Sequence, residues 1–248
     1  MTLRNSILLT ALFSMCTNVA SAGPVVLPPN LTVAGKTIGQ WSVNWWQWAL
    51  SFSAPNDPFT DTTGANANLG QSGPVFFLAA NPNVPSTRNF NAPAGAYLLV
   101  PLLVGELSQL EIGFDKSAAD VRQAAKELAD QIDSLTAVID GVAVPNLFTY
   151  RVTSPDFQFV AAPDNPIGVP TGNSGIAVAD GYFLMLAPLS AGTHTIQFGG
   201  GISAFQYLVL DTDVINAVPE PSTFALFVAG LIVVGRALAR AEVHFRKR

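Results

Sequence analysis

Any chemistry in this 248-residue chain has to come mainly from carboxylates, because its other reactive side chains are scarce. There is one cysteine, Cys16, in an apolar N-terminal stretch, and the histidines are His194 and His244. No H-E-x-x-H motif, cysteine cluster or EF-hand loop occurs, so no metal site and no cofactor are expected. The "GQSG" at Gly70 to Gly73 is not a nucleophile elbow. Asp57 and Asp61 in "NDPFTDTTG", and Asp211 and Asp213 in "LDTDV", are close in sequence and read as lying on or beside loops. Such hard oxygen donors could hold calcium. The plainer alternative is turn formation, since Asp hydrogen-bonds its own backbone in loops. Glu106, following the apolar "LLVPLLVG", could pair with one of them as a glycosidase acid and nucleophile. That chemistry needs the two carboxyl groups about 5 to 9.5 Å apart. His194 stands alone in a strand pattern and is expected to be structural. No residue is therefore assigned a catalytic role.

The second unusual feature is aromatic. In "TIGQWSVNWWQWALSF", Thr37 to Phe52, the residues Trp41, Trp45, Trp48 and Phe52 fall on one stripe of a helix, while Trp46 points elsewhere. Aromatic rows can stack sugar rings, but large apolar groups at helical spacing normally form a core face. Trp46 and Gln47, off that stripe, are the better ligand-binding candidates, together with Asp57 and Asp61.

The elements that would position these residues are mostly strands. "PVFFLAA", "AYLLVPLLVG", "NLFTYRV", "DFQFVAA", "GYFLMLAPL", "GTHTIQFGG" and "AFQYLVLDT" are short, aromatic or β-branched, and bounded by Gly, Pro or Asn. Alternation in "THTIQF" sets His194, Ile196 and Phe198 on one face and Thr193, Thr195 and Gln197 on the other. Asp140-Gly141 suggests a tight primed turn. Besides the tryptophan helix, "DKSAADVRQAAKELADQIDSL" reads as a surface helix capped by Asp115 or Ser117. Its apolar side is Val121, Ala125, Leu128, Ile132 and Leu135. The expected fold is mainly β, a β-sandwich or jelly-roll-like body with two helices.

Charge excludes one class of partner. Between Gly23 and Ala217 there are six basic residues against fifteen acidic, a net charge of −9. Nucleic acid, which demands Lys and Arg clusters, is not an expected partner. The same sign disfavours contact with anionic lipid heads.

The two ends read differently from the body. Residues 1–22 carry Arg4, an apolar stretch from Ile7 to about Val19, and Ala20-Ser21-Ala22, the layout of a secretory signal peptide cleaved by signal peptidase before Gly23. The body after cleavage has no cysteine and so no disulfide. Near the other end, Thr223 to Gly235 is uncharged and is followed by Arg236, Arg240, Arg246, Lys247 and Arg248. The run is short against the roughly 20 residues of a spanning helix, but it lengthens through Ala239 if Arg236 and Arg240 snorkel. The basic end would stay cytoplasmic, leaving the body outside.

Pro219-Glu220-Pro221-Ser222, then an apolar helix and an Arg-rich end, resembles the PEP-CTERM protein-sorting signal. The resemblance implies export in a Gram-negative bacterium, transient inner-membrane anchoring, and cleavage near Pro219, Glu220 and Pro221 by an exosortase. It further implies release at the cell surface or outside the cell, often where exopolysaccharide or biofilm matrix is made. The stretch from the tryptophan helix through "GQSGP" to "NAPAG" also resembles a group of uncharacterised bacterial exported proteins. Some of these carry cysteines where this chain has Ala67 and Phe90, so a disulfide implied there is absent here. The expected organisation is a signal peptide at 1–22, an exported body at 23–217 and a sorting signal at 218–248. The expected role is non-enzymatic binding or structure, exopolysaccharide being a candidate ligand, with a secreted carbohydrate-active hydrolase as the alternative.

Overall fold

The computed structural model describes residues 23–219 apart from 55, 83, 166 and 167. The signal-peptide positions Ala20 and Ala22, the motif residues Glu220 and Pro221, and the apolar run with its basic tail lie outside the described residues. Among those described, no helix is long and apolar enough to cross a membrane.

The fold is mainly β, with three α-helices among the described residues and no sheet closed into a barrel. The first main sheet contains β1 (Val75–Phe77), β3 (Tyr97–Ser108), β6 (Arg151–Thr153) and β7 (Ala177–Leu186), in the order β1-β3-β7-β6. The second contains β2 (Ser86–Pro93), β4 (Ser134–Ile139), β5 (Val142–Ala143), β8 (Gly192–Ile202) and β9 (Tyr207–Val218), in the order β2-β9-β8-β4-β5. Pairing is antiparallel except β1 with β3 and β2 with β9. The sheets share one core: Leu98, Val100 and Leu102 of β3 and Leu184 of β7 join Ile196 and Phe198 of β8 and Ile215 of β9 in one cluster. The remaining side of the first sheet is covered by α1 (Ile38–Ala49), so β7 is buried along its whole length. A strand covered on both faces is apolar along most of its length, as "GYFLML" is, and the one acid of β7, Asp180, is paired with Arg151. Gly181 in its middle is obligatory, because at φ +151° a Cβ would sit 2.6 Å from the Leu103 oxygen.

Several sequence expectations meet the structure directly. Asp140 and Gly141 both have positive φ and join β4 to β5 in a two-residue primed turn. His194, Ile196 and Phe198 face inward, while Thr193 and Thr195 are exposed. The surface helix is α3 (Ala118–Ala129), capped by Ser117 rather than Asp115. It stops at Ala129, so Ile132 and Leu135 lie in the turn and strand that follow. "NLFTYRV" is a turn of 3₁₀ helix before the short β6, and "DFQFVAA" is mostly irregular, pairing at Val160–Ala161 with Gly172–Asn173 and bridging Ala177 through Phe157. A short third helix, α2 (Gln109–Ile112), and the strand β2 were not anticipated.

The tryptophan helix is capped by a reciprocal box: Gln40 N donates to Thr37 Oγ1, and Thr37 N donates to Gln40 Oε1. All four tryptophans are buried, which corrects the expectation that Trp46 points away from the core. The helix is covered on two sides, by Phe77, Phe183 and Met185 of the first sheet and by the loop carrying Phe59. A second covered face takes in the residue that a single stripe leaves out. Three indoles then fasten the helix to separate segments: Trp41 Nε1 donates to Val33 O at 2.8 Å, Trp45 to Leu78 O at 2.7 Å and Trp48 to Leu69 O at 2.9 Å.

Candidate functional site

The acids singled out from the sequence are engaged in building the fold. Asp61 Oδ1 accepts from Thr63 N, Thr63 Oγ1 and Gly64 N, and Oδ2 accepts from Asn66 N at 2.7 Å. Burial alone would raise its pKa, but these bonds outweigh burial and hold it below the usual value of 3.8. Asp57 is fully buried; its Oδ1 accepts from Phe59 N at 2.8 Å, and burial pushes its pKa up to about 6. Its Oδ2 has no hydrogen-bond partner among the described residues. Both acids thus make the short-range backbone bonds of turns.

Asp211 and Asp213 are not loop residues. They lie inside β9 and point between the sheets, fully buried. Asp213 faces Arg88, its register neighbour on β2, in a bidentate pair with Nε–Oδ1 and Nη2–Oδ2 both at 2.8 Å. Burial raises the Asp213 pKa to about 6 against the opposing pull of the Arg88 guanidinium. Asp211 accepts from Asn81 N at 2.6 Å, from Ser86 N at 3.0 Å and from the Ser86 hydroxyl. The network stitches the crossover between the sheets to β9. Among the described residues no three His, Cys, Asp or Glu side chains are placed to hold a metal ion.

Glu106 lies within β3 rather than after it, opposite Ala179 on β7, and is only 4% exposed. Its neighbour is Glu111, not one of the aspartates. Burial first, and the Glu111 charge second, push the Glu106 pKa up to about 9, so the group is protonated near neutral pH. Glu111 accepts from Ser108 N and Oγ, each at 2.8 Å, closing the cap of α2. The protonated Glu106 carboxyl can donate to the Glu111 carboxylate beside it.

A further constellation joins Asp140, His194 and Ser190. His194 Nδ1 is 2.7 Å from Asp140 Oδ2, and Nε2 is 3.2 Å from Ser190 Oγ. The order of groups is that of a hydrolytic triad, but Nε2 is nearer, at 3.0 Å, to the Ser190 carbonyl, which can only accept a hydrogen bond. The ring therefore clamps the loop before β8 onto the Asp140-Gly141 turn, as a structural histidine does.

The proposed ligand residues are not brought together. Trp46 lines a small apolar cavity of about 70 Å3 with Phe59, Pro82 and Tyr207, and its Nε1 has no hydrogen-bond partner among the described residues. Gln47 is exposed and donates to Gln158 O at 2.9 Å. Asp57 adjoins Phe59, whereas Asp61 turns into its own loop. Sequence reasoning missed Arg88, Asn81, Ser86, Glu111 and Ser190, and gives Asp140 only as a turn residue. Two carried a usable signal: Arg88 shares strand parity with Phe90 and Ala92, and Ser108 with Glu111 has capping-box spacing.

The remaining feature is where the chain leaves the body. β9 is an interior strand, held by β2 on one side and β8 on the other up to its last residues. Ala217 pairs with Gly192, Val218 pairs with Pro93, and Ala94 N donates to Val218 O at 2.9 Å. Pro219 follows at once and is exposed. Residues 217–241 match the PEP-CTERM protein-sorting motif. No curated protein and no solved structure matches the chain, and the resemblance of the body to uncharacterised exported proteins gains no support. The motif supports an exported, exosortase-sorted protein that is anchored in the membrane through its C-terminal segment before processing.

Proposed function

We propose that the chain is a cell-surface or extracellular-matrix protein of a Gram-negative bacterium whose exported body, residues 23–217, is a β-sandwich with a binding or structural role rather than a catalytic one. Signal peptidase removes residues 1–22, cutting between Ala22 and Gly23. An exosortase then cuts near Pro219, Glu220 and Pro221 and frees the body from the inner membrane. The observation that carries this reading is that the matched motif begins inside the last residues of β9, so the sorting signal is continuous with a finished fold. The non-catalytic part is supported by the use of Asp61, Asp211 and Asp213 in backbone and ion-pair bonds, and by the burial of all four tryptophans. Exopolysaccharide is the ligand class such a location would offer. Fractionation of cells with and without a functional exosortase tests the reading. Full-length protein should collect in the inner membrane when the enzyme is missing, and an unchanged distribution would count against it.

A further inference from the structure

The place where the anchor joins the body singles out one end of the two-sheet fold. β9 finishes there at Val218 beside Pro93, and the chain returns through Ala94–Ala96 into β3. β8 begins there at Gly192, paired with Ala217. β7 finishes there too, since Leu186 pairs with Leu98 near the start of β3. The start of the body comes to the same end: Val26 bridges Leu186, and Ala187 N donates to Val25 O at 2.9 Å. Both connections to apolar segments, the one before Gly23 and the one after Pro219, therefore leave from one side.

That end differs in composition from the rest of the body. The stretches 24–30, 91–97, 187–193 and 216–219 contain no Asp, Glu, Lys or Arg. The connection that leaves β3 at the opposite end, residues 109–134, holds Glu111, Asp115, Lys116, Asp120 and Arg122, then Lys126, Glu127, Asp130 and Asp133. At the exit end His194 and Asp140 are turned onto each other, and Glu220 follows Pro219 in the tether. Val25 and Val218 are exposed there, at 54% and 41%.

Reach keeps this end close to the membrane. Three residues, Glu220 to Ser222, lie between Pro219 and Thr223, the start of the uncharged run, and extended chain spans at most about 14 Å over those four steps. The headgroup layer on each side of a bilayer is roughly 5 to 8 Å deep. A body with a net charge of −9 is repelled by anionic headgroups, and this end brings less charge to the surface than the opposite end does. We propose that the uncharged end formed by the loops at Gly95, Ala191 and Val218 is a membrane-docking surface that rests in the headgroup layer while the chain is anchored. The opposite end then stands about 33 Å above it, the length of the eleven-residue β8. The proposal rests on the anchoring described above.

The test uses the full chain carrying Cys16→Ser, reconstituted in nanodiscs of phosphatidylethanolamine and phosphatidylglycerol, with one added cysteine at a time. Gly95→Cys and Ala191→Cys report the docking end, and Ala204→Cys in the β8–β9 turn reports the far end. A Cβ at Gly95 has open space around it, so the first label is tolerated. With a fluorophore on each cysteine and a quencher on the lipid headgroups, the labels at 95 and 191 should lose most of their emission and the label at 204 little. Equal quenching at all three sites in disc-bound protein overturns the docking surface. Protein that floats free of the discs overturns the anchoring reading instead. A contrast that arises only when an exosortase is co-reconstituted assigns the surface to that enzyme and also overturns membrane docking.

Discussion

Trp45 and Trp46 are adjacent and both buried, at 0% and 3% exposure, yet only Trp45 spends its indole N–H on a backbone carbonyl, Leu78 O at 2.7 Å. Replacing each by Phe separates packing from hydrogen bonding. Both changes keep a ring, shrink it by a similar volume and leave a similar gap, so the packing loss largely cancels between the two variants. The difference is polar. Trp45→Phe strips the Leu78 carbonyl of this donor in a dry interior, which costs about 1 to 3 kcal/mol. Trp46→Phe removes a donor that has no partner among the described residues and adds no such cost. For a body of this size each kcal/mol moves the melting temperature by about 2 to 4 °C. Trp45→Phe should therefore melt roughly 2 to 12 °C below Trp46→Phe when the mature proteins are unfolded by heat and followed by circular dichroism. Trp45→Ala, which also loses the edge contacts to Phe59 and Phe183, should lose about 3 to 5 kcal/mol. A Trp46→Phe protein that melts at or below the Trp45→Phe temperature would refute the reasoning.

Two further outcomes follow from buried charge. The Glu106 pKa is raised from 4.5 in the unfolded chain to about 9 in the fold, so its stabilising contribution is complete below 4.5 and is lost as pH rises towards 9. Glu106→Gln should flatten that decline in urea titrations across this range and be more stable than the parent at its alkaline end; an unchanged slope would show that the group is not buried protonated. Arg88→Met leaves Asp213 without its guanidinium and should cost about 3 to 5 kcal/mol, measured by the urea midpoint. Adding Asp213→Leu to that variant should restore most of the loss, because the unpaired charge goes with it.

Those two sites also mark how far the sequence could be read. The long apolar strands β3, β7 and β8, the Asp140-Gly141 turn and the two longer helices carry their own local signals, so they were legible without the fold. β2 was missed because its inward positions include Arg88, whose partner Asp213 lies 125 residues away. From the sequence Asp211 and Asp213 read as loop acids for the same reason: nothing near them in sequence announces Ser86, Asn81 or Arg88. Trp46 fell off the stripe because periodicity describes one buried face, whereas α1 is covered on two. The sorting motif was legible in full because its signal is contiguous: a tripeptide, an apolar run and a basic end within thirty residues. The joining of that motif to β9 without a spacer was not, since it depends on where the strand pairing stops.

Intact-mass and terminal-peptide mass spectrometry of the protein released from cells tests the central claim most directly. Processing at both ends predicts a chain that begins at Gly23 and ends within Pro219 to Pro221, just past the last paired residue of β9. Released protein that still carries the "HFRKR" end at His244 to Arg248 would contradict it.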